Sequence, residues 1–304
     1  MKLITSIDNI ADIDYTKFIA TMRYDEVILY KYQQKQPYSL TIQIDYNHDE
    51  LAVEFSGKVL MENYCKLINS TTIGTCIDNI NKLNICKLNK EAVIGNSTVV
   101  KCDVTKDVKA DIDSVSSMIR QNIANYSKWN TKPYYKGLVI ENVVSTPRYK
   151  KRLAIYDKSK ELARGNSEKF VRSLSNAQYV SDYFKDKVRF ELNLNTMYQI
   201  RQFLNIPDNR LQSVLNSQAN PILTVVDEAV KYTHHRKMPM KLRDYERELL
   251  IKECGYDLAK VEAKVRALFS RNTSIQRIMT PYRELLKQIN PSNDTSLDIR
   301  ELVA

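Results

Sequence analysis

Apolar and polar residues alternate with a period of two in short stretches of the first two thirds of the chain, and with a helical period over most of the last third. Leu40 to Tyr46, Leu51 to Ser56, Thr98 to Val104, Gly137 to Val144, Arg152 to Tyr156 and Val188 to Leu194 are short and rich in Val, Ile, Leu or Tyr, so they read as strands. Met61 to Ile68, Ile73 to Leu83 and Val108 to Asn125 carry helical spacing between them. Strands and helices interleaved in this way predict an α+β fold: one antiparallel or mixed sheet with helices on one face and the other face open for chemistry. From Asn195 onward, Thr196 to Leu204, Asn209 to Val230, Lys241 to Cys254, Asp257 to Ser270 and Thr273 to Ile289 read as helices, punctuated by Pro207, Pro221, Gly255 and Pro281. The expected division is therefore a catalytic region over 1–195 and a helical accessory region over 196–304. In the turn Cys254 to Asp257, Gly255 suits a left-handed position and Asp257 suits a helix cap. A helix-turn-helix that reads duplex DNA and an ordinary antiparallel helix pair both fit that spacing.

Alternation along a strand also sorts side chains by face. Leu153 and Ile155 point one way, and Arg152, Ala154, Tyr156 and, if the strand extends, Lys158 point the other. Val188, Phe190, Leu192 and Leu194 share an apolar face, which leaves Arg189, Glu191 and Asn193 on the polar one. In the earlier strand Val100, Cys102 and Val104 alternate with Val99, Lys101 and Asp103, so Asp103 is expected to join Glu191. Carboxylates that meet on such a surface suit a hard divalent ion, Mg²⁺ or Mn²⁺, and an ion beside a tyrosine and several cations is equipment for phosphoryl transfer. The same alternation is what any half-exposed sheet shows, with Arg189 and Glu191 solvated or salt-bridged and the tyrosine serving as packing.

Composition narrows the partner. The 304 residues are 43% hydrophobic, enough to bury a sizeable core, and 46 Lys+Arg against 36 Asp+Glu give a formal charge of +10. The pI near 9.2 favours an anionic partner, nucleic acid first. Nineteen tyrosines against the single Trp129 suit base stacking as well as half-buried packing. Five cysteines, an odd number with no Cys-x-x-Cys pair, argue against a disulfide framework or a thiolate zinc site, so they read as reduced structural thiols. No stretch approaches the roughly 20 apolar residues of a membrane span, and Met1 to Ile10 has no signal-peptide core, so a cytoplasmic protein without a membrane partner is expected.

The segment Ile155-Tyr156-Asp157-Lys158-Ser159-Lys160-Glu161, followed by Val188-Arg189-Phe190-Glu191-Leu192, resembles the signature of the replication initiators of filamentous phages, the gene II/X family, and of the related Rep_trans initiators of rolling-circle plasmids. In that group a strand ends in Tyr-x-Lys-x-x-Glu and a later strand reads Arg-x-Glu. Val100 to Val104 and Val53 to Lys58 are similar to two earlier segments of the same group, so the likeness covers about Leu51 to Leu194. The resemblance implies that Tyr156 is the nucleophile, Lys158 a phosphate-side cation, Arg189 a phosphate contact, and Asp103 and Glu191 ligands of Mg²⁺ or Mn²⁺. It leaves two roles open for Glu161, a metal ligand or a group that orients Lys158 or Arg189, and leaves Glu54 as a further candidate ligand. Cys102 and Lys101 depart from the usual aliphatic and Arg positions without removing a catalytic group. The broader nicking superfamily uses a His-hydrophobic-His metal motif, and His48, His234 and His235 do not have that spacing, so the site must rest on carboxylates.

The implied activity is that of a rolling-circle initiator: a site-specific single-strand endonuclease and strand transferase that leaves a 5′-phosphotyrosine at an origin. Origin DNA and a host helicase and polymerase would be its partners. A conjugative relaxase shares this chemistry. A non-catalytic DNA-binding protein would share the charge and the helical C-terminus, and would make Tyr156 dispensable.

Overall fold

The computed structural model describes residues 1–23, 26–123, 128–134, 137–144, 146, 149–230, 241–268, 274–288 and 299–304. Its strands are β1 (Lys2–Thr5), β2 (Ile10–Ile13), β3 (Ile19–Arg23), β4 (Glu26–Gln34), β5 (Leu40–Asp45), β6 (Glu50–Phe55), β7 (Cys86–Leu88), β8 (Thr98–Lys109), β9 (Trp129–Pro133), β10 (Gly137–Asn142), β11 (Arg152–Asp157) and β12 (Lys187–Leu194). Ten of them form one antiparallel sheet in the order β3-β4-β5-β6-β1-β8-β12-β11-β10-β9, and β2 pairs with β7 apart from it. The α+β class with a helical C-terminal region is as expected, and every expected strand is present. No helix among the described residues is long and apolar enough to cross a membrane.

The apolar sides of these strands bury Leu153, Ile155, Val188, Phe190, Leu192 and Leu194 in one core. Each such side chain contributes about 1.5–3 kcal/mol on leaving water. The helices Ile73–Asn81, Lys90–Asn96, Ile112–Asn122, Met197–Leu204, Leu211–Leu215, Pro221–Ala229 and Ile299–Val303 share that core. Strand β8 runs on to Lys109, so Val108 is extended, and the helix expected from there begins at Ile112, where Asp111 accepts from the Ser114 backbone N–H. The stretch 209–230 breaks into two helices because Asn220 caps a new one with Pro221 in its first turn.

The division expected at 195 is not a division of the core. Four helices after it pack under the same sheet, whereas a separate core of Ile251, Val261, Val265, Met279 and Leu286 holds together Leu242–Glu253, Leu258–Ala267 and Ile275–Gln288. The turn that joins the first two helices of this unit is built as expected: Gly255 has φ +62, and Asp257 accepts from the backbone N–H groups of Ala259 and Lys260.

Two further departures concern the polar face. Lys2 pairs with Lys101 while Leu3 pairs with Val99, so a bulge falls at Val100. Val99 and Cys102 both enter the core, and Val99 does not share a face with Lys101 and Asp103. Helices also reach the second face. Lys158–Leu162, Gly165–Arg172 and Ala177–Phe184 lie between β11 and β12 in sequence and gather Leu162, Phe170, Val180 and Phe184 with Tyr64 and Cys65 into a small cluster above Arg189. The polar face is thus open along the middle of the sheet and roofed at one end. All five cysteines are buried free thiols, and burial pushes those of Cys76, Cys86 and Cys102 up to about 12.

Gly137 stands directly opposite Tyr156. A Cβ there would lie 2.0 Å from the Ile155 carbonyl oxygen and 2.8 Å from the Tyr156 Cα, so only glycine lets β10 approach β11 at the tyrosine. Gly137→Ala is expected to destabilise the fold by about 1–3 kcal/mol in denaturant unfolding, the usual range for overpacking. Gly95→Ala, where nothing lies within 4 Å of the added carbon, is the control and should not destabilise it.

Candidate active site

Strand register brings the expected residues together on the polar face. Tyr156 on β11 lies between Arg189 of β12 and Gly137 of β10, and Glu191 is two pairs further along on the same face, opposite Ala154. The phenol hydroxyl of Tyr156 donates to Glu191 Oε2 at 3.0 Å. Its ring is 6% exposed, packed with Val139 and Ala154 and edge-on to Tyr134 at 5.6 Å. Burial first, and the Glu191 charge second, hold the phenol well above its ordinary value, since both penalise a phenolate.

Arg189, expected at a phosphate, is committed to a protein partner. Its Nε and Nη2 donate to Asp107 Oδ1 and Oδ2 at 2.6 and 2.7 Å, directly across from β8. The two side chains are 6% and 3% exposed, and the guanidinium lies 5.3 Å from the Phe184 ring centroid, with Nη1 3.4 Å from the Tyr64 hydroxyl. Burial is the largest single influence and opposes the charge, but the Asp107 hydrogen bonds together with the electrostatic pull of Tyr64, Asp107 and Tyr156 outweigh it and hold the guanidinium above its ordinary value.

Lys158 does not extend the strand. It opens the helix Lys158–Leu162, which Asp157 caps, and it is buried against the rings of Tyr64 and Tyr156. Its ammonium donates to Glu161 Oε2, while Glu161 Oε1 accepts from the Ser167 hydroxyl. Burial disfavours the Glu161 charge, yet Lys158, Ser167 and Lys58 together carry its carboxyl below the usual range.

Asp103 is exposed and accepts from Asn193 Nδ2 at 2.6 Å, and Asn193 Oδ1 in turn accepts from Arg152. Asp103 pairs with Asn193 and Glu191 with Thr105, so the two carboxylates are diagonal neighbours on one face. Both supply oxygen donors, the ligand type a hard divalent ion takes, and each keeps one oxygen outside the hydrogen bonds named above; among the described residues no group of three or more such side chains is gathered to hold a metal. Glu161 does not fit the ligand set, because both of its oxygens are taken by donors. Glu54 pairs with Lys101 at 3.1 Å. A cleft of about 710 Å³ joins Glu54, Lys58, Asp103, Tyr156, Glu161 and Glu191.

No known protein family, curated protein or solved structure matches the chain.

Asp107, Ser167, Tyr64 and Lys58 are the members of this cluster that sequence reasoning did not single out. The signal for Asp107 is the same alternation carried two steps past Asp103, had the strand not been ended at Val104. Among other tyrosines near the motif, Tyr134 touches Tyr156, Tyr149 is half exposed and packs on Tyr198, and Tyr135 lies outside the described residues. His48 is on an exposed turn bonded to Asp45, and His234 and His235 lie outside the described residues.

Two measurements check this geometry. Asp107→Asn leaves Arg189 buried without a counter-charge and should cost about 3–5 kcal/mol in urea unfolding, part of which Asp107→Leu combined with Arg189→Met should recover. In alkaline titration at 295 nm, the difference between wild type and Tyr156→Phe should show no ionisation near the ordinary phenol value of 10.0. Because the folded value is raised, the stability Tyr156 contributes is present below pH 10 and is lost as the pH rises further, when the unfolded phenol ionises first.

Proposed function

We propose that the chain is a rolling-circle replication initiator, a single-strand DNA endonuclease and strand transferase with Tyr156 as nucleophile. The observation that carries this reading is the Tyr156 hydroxyl bonded to Glu191, on a polar sheet face beside buried cations and in a cleft roomy enough for a DNA backbone. A phenol near its ordinary value is a weak nucleophile at neutral pH, and this one is weaker still, so its proton must leave as the oxygen attacks. Glu191 Oε2, already its acceptor, takes that proton.

Arg189, fixed by Asp107 opposite Tyr156, supplies positive potential next to the forming phenolate and the charge building on phosphorus. Lys158 adds to that potential from behind the tyrosine ring. Attack joins Tyr156 to the 5′ phosphate and frees a 3′ hydroxyl for a host polymerase, behind a host helicase. The phosphodiester bond energy stays in the protein-DNA link, so rejoining needs no ATP. Asp103 and Glu191 would hold Mg²⁺ or Mn²⁺, which when bound supplies Lewis-acid polarisation of the phosphoryl oxygens.

The net charge of +10 gives salt-sensitive affinity for the backbone, and the open sheet face favours single-stranded over duplex substrate. The three-helix unit 242–288 is the part suited to duplex or partner contacts, since it holds a core of its own, separate from the one under the sheet.

A labelled suicide oligonucleotide should trap the wild-type protein, with mass spectrometry placing the nucleotide on Tyr156, and Tyr156→Phe should form no adduct while binding DNA unchanged. An adduct on another tyrosine overturns the assignment, and origin binding without any cleavage would favour the non-catalytic DNA-binding reading. Glu191→Ala, which removes both the proton acceptor and a proposed ligand, should slow nicking by at least roughly 10²–10⁴-fold, the usual worth of a positioned base alone. Asp103→Ala should abolish metal-dependent nicking and, being exposed, leave unfolding within about 0.5 kcal/mol of wild type.

A further inference from the structure

Three cations, Arg189, Lys158 and Lys58, line the cleft that Tyr156 also lines, and they are not alike. Arg189 is bidentate to Asp107, and Lys158 is bound to Glu161, so each is paired with a carboxylate. Lys58 is different. It begins the turn that follows β6, reaches across the cleft, and donates at 2.7 Å to Ser167 Oγ, a neutral hydroxyl whose own proton goes to Glu161. The Phe170 ring centroid lies 5.5 Å from its ammonium. The charged groups acting on it are Glu161, which favours its proton, and Lys158 and Arg189, which oppose it; burial opposes it most, and the balance lies below the ordinary lysine value.

The chemistry of nicking has a second proton requirement that the tyrosine side does not meet. When the phenol oxygen bonds to phosphorus and the P–O3′ bond breaks, the electron pair goes to a 3′ alkoxide, a poor leaving group unless it is protonated as it departs. We infer that Lys58 is a further catalytic residue: its ammonium contacts the scissile phosphate and gives its proton to the leaving 3′ oxygen. This rests on the initiator reading given above. The step balances without a co-reactant: Glu191 receives the phenol proton, the 3′ oxygen receives one from Lys58, and Lys58 is left as a neutral amine. In the joining direction that amine takes the proton of the attacking 3′ hydroxyl, and the phenolate released recovers its proton from Glu191. Ser167, between Lys58 and Glu161, holds the amine in place through both directions.

The test uses the full chain and the single-stranded oligonucleotide on which the wild-type protein forms its tyrosine adduct, made with either oxygen or sulfur as the bridging 3′ atom at the scissile phosphate. A thiolate leaves without a proton, so the sulfur substrate bypasses a general acid. Lys58→Arg keeps the charge but holds its proton, and should bind the oligonucleotide within about twofold of wild type. It should cleave the oxygen substrate roughly 10²-fold more slowly or worse and the sulfur substrate at the wild-type rate. Lys58→Ala should bind more weakly, yet also regain cleavage on sulfur relative to oxygen. Equal slowing on both substrates, or wild-type cleavage of the oxygen substrate by Lys58→Arg, would overturn the inference while leaving the initiator reading intact. Failure of the wild-type protein to form an adduct with either substrate overturns that reading, and the role of Lys58 with it.

Discussion

The pairing of β8, β12 and β11 at a single register is the constraint on which the site depends, because every reactive group on the polar face is placed by it. Tyr156 opposite Arg189, Arg189 opposite Asp107 and Glu191 opposite Thr105 are consequences of that one alignment. A slip of one residue would turn all of them into the core and bring Phe190 and Ile155 to the solvent. The alignment is defended from both sides of the sheet. Beneath it, alternate apolar residues are buried; above it, the bidentate Arg189 and Asp107 pair is satisfied only when the two residues stand opposite each other.

Charge burial follows from this arrangement. A guanidinium and an ammonium are brought under the rings of Tyr64 and Phe184, where isolated ions would be costly, and each is matched with a carboxylate at hydrogen-bonding distance. The buried charges of the site are therefore fixed in pairs, and the donors of Arg189 and Lys158 that reach Asp107 and Glu161 are already engaged. Tyr156 is treated in the opposite way: burial and the neighbouring Glu191 charge keep it neutral.

Much of this was legible in the sequence, and the reasons are local. Period-two alternation fixed which residues of 152–156 and 188–194 share a face, because side-chain direction in a strand depends on the backbone alone. Alternation does not say what stands across the sheet, so the partner of Arg189 was not visible, and the strand that supplies Asp107 was ended early at a run of charged residues. The bulge at Val100 defeated the same rule over a single residue, since an extra residue reverses the faces before it. The reach of the core past 195 is hidden from the sequence for a different reason. Helical spacing identifies an amphipathic helix but not the surface it covers, and the helices just after 195 cover the sheet. Lys58 and Ser167 meet across more than a hundred positions of sequence, a distance over which no local pattern carries information.

Neighbouring antiparallel strands need only a turn of a few residues to connect them. Between β11 and β12 the chain instead makes three helices with a small apolar cluster of their own, all above the reactive face. The strands on either side are held by their own pairing and do not rely on this detour for alignment. The sheet and the roof are therefore separable as objects of natural variation. A change of length or composition in the roof would reach Tyr156 through Lys158, Glu161 and Ser167, which the detour itself carries, while the register of the strands below stays as it is.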